Sequence, residues 1–206
     1  MTILSVNKTR EFDGRSMRSF CFYGMGALYS SFFIGGICMK KSIKELTRAA
    51  MIGALYVVLT HTQNMLIPDS ATWAIQFRAS EALCILAFFT PAAAWGLAAG
   101  CMIFNLTYAG ALPLDFFVGS LASLLAAATM WQLRNVKVKD IPLPGLLMPA
   151  LWNGLFVGWE LDLYIGGGFW LNAVYVAIGE AAVLLTLGAL LYKVMKKQHL
   201  DTRLFQ

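Results

Sequence analysis

Between residues 43 and 192 the chain alternates long apolar runs with short polar breaks, and the runs are continuous rather than alternating residue by residue. In lipid every backbone polar group must pair within the protein, so only helices or closed barrels can span a bilayer, and continuous runs select helices. Six segments follow from the breaks. The first covers Ile43 to Leu66 and ends at the loop IPDSATWAIQ. The second is short, Ala79 to Phe89, and stops at Thr90-Pro91, where proline ends a helix. The third runs from there to Tyr108, and the turn through Gly110 and Pro113 follows. The fourth spans Leu114 to Leu133, the fifth Gly145 to Tyr164, and the sixth Phe169 to Tyr192 after the triplet Gly166-Gly167-Gly168.

Small residues four apart recur in these segments: Ala49/Gly53, Ala50/Ala54, Gly96/Gly100 and Gly154/Gly158. Such pairs make a smooth stripe along which a second helix approaches closely. Alone the pattern is weakly informative, because alanine is common in apolar helices.

Charge orients the segments. Lys40, Lys41, Lys44 and Arg48 cluster at the start of the first, Arg134 to Asp140 is a basic loop after the fourth, and Lys193, Lys196, Lys197 and Arg203 follow the sixth. Positive residues mark the cytoplasmic side, so all three clusters are satisfied by six spans with both termini inside. Arg78 is the one basic residue this topology puts outside. Residues 1–38 form an uncertain N-terminal extension, in which Arg10, Arg15 and Arg18 precede an uncharged run from Ser19 to Cys38. It reads as an upstream in-frame extension with Met39 as the natural start, or as an extra hydrophobic segment that would put the N-terminus outside. Residues 39–206 form one membrane domain.

Composition agrees: 59% of residues are hydrophobic and 13% charged, outside the range of an ordinary soluble domain. The net charge of +5 sits at segment ends, which argues for membrane topology and against a nucleic-acid surface. The cysteines Cys21, Cys38, Cys84 and Cys101 form no CxxC pair and lie in apolar sequence, as buried small hydrophobes do.

Against this background the polar residues inside the segments stand out. A charge at the centre of a membrane helix costs at least ~2.5–3.5 kcal/mol, so it marks function by default. Arg78, Glu81, Asn105, Asp115, Glu160, Asp162 and Asn172 all fall near the outer ends of five different segments. Asn153 lies seven residues before Glu160, on the same helix face, and Glu180 lies deeper in the sixth segment. Helix capping, headgroup contact or a local Arg78–Glu81 pair would also account for single members of the set. Glu160 and Glu180 lack an evident local cation, and a ligand bearing donors would satisfy them. Trp73, Phe77, Phe89, Tyr108, Trp152, Trp159, Tyr164, Trp170 and Tyr175 accompany the set, mostly as interfacial belt residues, with one or two available to stack on a planar ligand. The substrate-binding candidates are therefore Arg78, Glu81, Asn105, Asp115, Asn153, Glu160, Asn172 and Glu180. There is no GxxxxGK[ST], HExxH or GxSxG motif, and His61 and His199 are isolated. The chain holds no ATP site of its own, no expected metal or cofactor, and no membrane-hydrolase signature.

Arg78-Ala79-Ser80-Glu81-Ala82-Leu83, Gly100-Cys101 with Asn105, Asp115 with Gly119-Ser120-Leu121-Ala122, Pro149 with Asn153, Gly158-Trp159-Glu160-Leu161 and Gly179-Glu180 carry a resemblance. Residues 40–195 resemble the QueT family of queuosine-precursor transporters, with Ser123 where the family has threonine. The resemblance implies an all-α polytopic fold of six transmembrane helices, the S component of an energy-coupling factor (ECF) importer in the cell membrane. It implies a binding subunit, not an enzyme, for a 7-deazaguanine base or queuine. Its partners would be a module of one transmembrane T subunit and two ATPases, with Ala50 and Ala54 docking on the T subunit. Ligand would be released by toppling of the S component in the membrane. An S component for another vitamin-like solute is the alternative, and a small membrane enzyme a remoter one.

Overall fold

The computed structural model describes residues 43–67, 78–138 and 141–200. The expectations for residues 1–38, and for Trp73 and Phe77, lie outside the described residues. Among the described residues the chain is helical, with no strand beyond one isolated bridge between Val138 and Ile141.

Helix α1 is Ile43–Leu66, followed by a 3₁₀ helix, Ala79–Phe88. Helix α2 is Ala92–Thr107, α3 is Asp115–Leu133, and a single turn, Leu143–Leu146, leads into α4, Met148–Tyr164. Helix α5, Phe169–Val183, passes through a π-helical turn, Leu184–Gly188, into α6, Ala189–Lys197. The boundaries have local causes. Pro91 opens α2, where its missing N–H is not needed, and the Thr90 hydroxyl accepts the Ala92 N–H at 3.3 Å. Asp115 sits in the first turn of α3, where a negative charge suits the helix dipole. Gly166, Gly167 and Gly168 have φ of 80°, 94° and 95°, a conformation that side chains disfavour, and they turn α4 back into α5.

Three segments differ from their sequence reading: the fifth begins at Met148, after the separate turn Leu143–Leu146, rather than at Gly145. The second is a 3₁₀ helix throughout its ten residues, although such runs rarely exceed three or four residues. The tighter winding has a consequence for reach. At about 2.0 Å per residue it covers roughly 20 Å, against roughly 15 Å for an α-helix of the same length. The sixth segment does not stop at Tyr192. It continues to Lys197 and widens into the π turn beside the 3₁₀ helix, where Gly188 faces Ile85.

The 3₁₀ helix is the centre of the packing. It touches α1, α2, α3, α5, the π turn and α6, while α1 packs on α2, α2 on α3, α3 on α4, and α4 on α5. Close helix approach depends on the small-residue stripes. A Cβ on Gly96 would lie 2.5 Å from the Ala49 carbonyl oxygen, and one on Gly100 would lie 2.8 Å from that of Gly53. In the same way a Cβ on Gly158 would lie 2.6 Å from Ala173 Cα, which joins α4 to α5. At each of these crossings only glycine lets the backbones meet.

Burial is inverted relative to a water-soluble protein. Arg78, Glu81, Asp115, Glu160 and Glu180 are buried, whereas Met51, Val58, Leu106, Phe117, Trp170 and Ile178 are exposed. Water does not sustain that arrangement, but lipid does. Asp115–Leu133 and Phe169–Lys197 are long and apolar enough to cross a membrane, and Ala79–Phe88 and Ala92–Thr107 are shorter apolar helices.

Candidate functional site

All eight candidate binding residues are buried, and they come from the 3₁₀ helix, α2, α3, α4 and α5. Arg78 stands at the head of the 3₁₀ helix and Glu81 in its first turn. Asn105 lies near the end of α2, and Asp115 begins α3. Electrostatics links them. The Arg78 guanidinium interacts with the carboxylates of Glu81 and Asp115, and also with those of Glu160 and Glu180. One buried cation therefore faces four buried carboxylates.

The carboxylates fall into two kinds. Glu81 accepts the Tyr56 hydroxyl at 2.9 Å and the Cys84 thiol at 3.0 Å. Glu180 accepts two hydrogen bonds from the Asn153 amide, at 2.6 and 2.8 Å. These groups are satisfied within the protein. Glu160 and Asp115 are adjacent, and no donor reaches either oxygen of Glu160 or Oδ1 of Asp115. Asn105 donates its Nδ2 to the Asp115 backbone carbonyl at 2.8 Å, which leaves its own Oδ1 without a donor. Gly119 makes room here, since a Cβ at that position would lie 3.1 Å from Asn105 Nδ2 and 3.8 Å from Asp115 Oδ1.

Asn172 is buried but its amide is taken up by the Gly166 carbonyl at 2.9 Å, and Asp162 accepts the Gly168 N–H at 3.0 Å. Both tie down the glycine turn rather than joining the carboxylates. Of the described aromatic candidates, Phe89 stacks on Tyr192 and Tyr108 on Phe104, while Trp159, Tyr164, Trp170 and Tyr175 are exposed. His61 packs edge-on to Phe104, with its Nε2 3.0 Å from the Thr107 hydroxyl. Among the described residues no group of three or more His, Cys, Asp or Glu is arranged to hold a metal.

Tyr56 and Cys84 bind the candidate residue Glu81, and sequence reasoning passes over both. Cys84, read as an inert hydrophobe, is a hydrogen-bond donor to Glu81. Tyr56, Thr60 and Gln63 recur at helical spacing on α1 and meet the first turn of the 3₁₀ helix in register. The Tyr56 hydroxyl binds Glu81, the Thr60 and Ser80 hydroxyls pair at 2.8 Å, and Gln63 Oε1 accepts the Ala79 N–H at 2.6 Å. That i, i+4, i+7 polar stripe was present in the sequence. Ala50 and Ala54, expected to dock on a partner, lie on the exposed side of α1, while Ala49 and Gly53 face α2.

No curated protein and no solved structure matches the chain. A family model does: residues 46–197, most of the chain, match the family described as QueT transporter. That range takes in all eight candidate residues and, apart from the first three residues of α1, every helix from α1 to α6. The protein therefore belongs to the QueT transporter family and is a transport protein rather than an enzyme.

Proposed function

We propose that this protein is the substrate-binding S component of an ECF importer for queuosine precursors, 7-deazaguanine bases or queuine. One observation carries the reading: five elements converge on a buried cluster in which both carboxylate oxygens of Glu160 and Oδ1 of Asp115 have no hydrogen-bond donor. A flat heterocycle with N–H groups provides what the cluster lacks, and charge-assisted hydrogen bonds contribute about 1.5–3 kcal/mol each. The protein crosses the cell membrane six times with both termini in the cytoplasm, and the cluster faces outward, where an importer meets its ligand. The exposed Ala50/Ala54 stripe docks on the T subunit, two separate ATPases drive the cycle, and toppling carries the cluster to the inner side.

Calorimetry of queuine and 7-deazaguanine bases on the purified protein beginning at Met39 tests the reading. Saturable submicromolar binding that disappears in Glu160→Ala is the expected result. A folded protein that binds none of them fits instead an S component for another vitamin-like solute.

A further inference from the structure

Charge in the buried cluster does not balance if all its acids are ionised. Arg78 brings one positive charge, and Glu81, Asp115, Glu160 and Glu180 would bring four negative ones, with all five side chains buried. A buried charge without compensation is costly, so such a cluster takes up protons. Hydrogen bonding shows where a proton goes. Glu81 accepts the Tyr56 hydroxyl and the Cys84 thiol, and Glu180 accepts twice from the Asn153 amide. Donors from the protein stabilise both as anions. Glu160 and Asp115 differ. They meet carboxyl to carboxyl within hydrogen-bond reach, and no protein donor serves either oxygen of Glu160 or Oδ1 of Asp115. Two carboxylates repel at that range, whereas a carboxylic acid donates to a carboxylate.

We infer that Asp115 and Glu160 hold one proton between them in the ligand-free protein, and that ligand displaces this proton to solvent as it binds. The first half concerns the protein alone, and the second rests on the binding reading above. The neighbours set the balance. The Arg78 guanidinium, the cluster's own cation and donor, attracts both acids and compensates the one charge the pair retains. Glu81 of the 3₁₀ helix and Glu180 of α5 face the same guanidinium and compete for it. Tyr56 on α1 and Cys101 on α2 complete the titratable set around Arg78, with Cys84 beside Glu81. Asp162 and His61 are engaged elsewhere, at the glycine turn and against Phe104. Asn105 marks where a ligand arrives: its amide nitrogen is committed to the Asp115 carbonyl, and its buried Oδ1 has no donor. A ligand that donates to Glu160 or Asp115 stabilises the ionised form, so ligand and proton compete for the same oxygens. The acids titrate as a pair, and the proton leaves when ligand donors take its place.

Infrared spectroscopy of the ligand-free, full-length protein tests the first half. At neutral pH the native protein shows the C=O stretch of a protonated carboxyl, displaced in heavy water. Glu160→Gln and Asp115→Asn each remove that band, because the new amide donates to the remaining carboxylate, while Glu180→Gln leaves it in place. Absence of the band from the native protein would overturn the inference, as would a band that survives both substitutions. Melting temperatures check that these near-isosteric variants fold, and if one does not, the other decides. Calorimetry of 7-deazaguanine in two buffers of different ionisation enthalpy tests the second half. Binding releases about one proton, and affinity falls about tenfold per unit as the pH drops through the range where the pair is protonated. The carboxyl band disappears in the bound state. Binding without proton release would overturn the displacement. If 7-deazaguanine does not bind, the queuosine-precursor reading fails and the displacement with it, while the infrared band still decides whether the pair holds a proton.

Discussion

Helix α1 carries two small-residue stripes offset by one position, and they meet opposite fates. Ala49 and Gly53 are buried against Gly96 and Gly100 of α2, with backbone so close that no side chain fits between. Ala50 and Ala54, about 100° further round the helix, are exposed among Met51, Leu55 and Val58. The same four-residue spacing thus serves one contact inside the protein and leaves a second face smooth and uncovered. A stripe of small residues reports that a face is flat. Whether another helix already covers it depends on the rest of the fold.

The comparison breaks most severely at the covered stripe. Gly96→Leu with Gly100→Leu forces side chains into the Ala49 and Gly53 backbone, and no folded monomer is expected on size exclusion in detergent. Gly96→Ala alone should destabilise by about 1–3 kcal/mol, read as a lower melting temperature. Of similar size to Gly96→Ala is Tyr56→Phe, on the buried side of α1. It removes the donor to Glu81 Oε1, a loss of about 1.5–3 kcal/mol read as a lower melting temperature. Thr60→Val breaks the pairing with Ser80 at about 0.5–1.5 kcal/mol. The smallest effect on stability belongs to the exposed stripe. Ala50→Leu with Ala54→Leu should stay within about 0.5 kcal/mol and leave ligand binding intact. If the stripe docks on a T subunit, that pair abolishes uptake in cells carrying the ECF module. Wild-type uptake by the double variant would remove the docking role.

The carboxylates show the same contrast between satisfied and open surfaces. Glu160 and Glu180 look alike in sequence, each an acid in an apolar segment without a nearby base. Folding gives Glu180 the Asn153 amide, while Glu160 lies beside another acid, Asp115, with no hydrogen-bond donor on either of its oxygens. The heptad-like separation of Asn153 and Glu160 indicated a shared helix face. It did not indicate that Asn153 serves Glu180, twenty-seven residues on. Such pairings arise where α4 crosses α5 at Gly154, Gly158 and Ala173, and a crossing is a property of two helices.

Much of the architecture was nonetheless determined locally. Apolar continuity, Pro91 and the glycine triplet at 166–168 mark where helices start and stop, because each acts on backbone torsions within a few residues, whereas the start of α4 beside Pro149 was not read from the sequence. The burial of Arg78, Glu81, Asn105, Asp115, Asn153, Glu160, Asn172 and Glu180 was also foreseeable, since polar groups in apolar helices turn away from lipid. The winding of the second segment was not. Ala79–Phe88 has an ordinary helical composition, and its 3₁₀ geometry answers to six neighbours and to the π turn that widens beside it. Nor did spacing reveal that Cys84 and Tyr56 hold Glu81, or that Asn172 belongs to the glycine turn. Backbone preferences and hydrophobicity are written residue by residue, so the sequence determines elements and their inward faces. Donor and acceptor matching depends on which faces meet, and only the tertiary structure decides which acids are satisfied and which remain open.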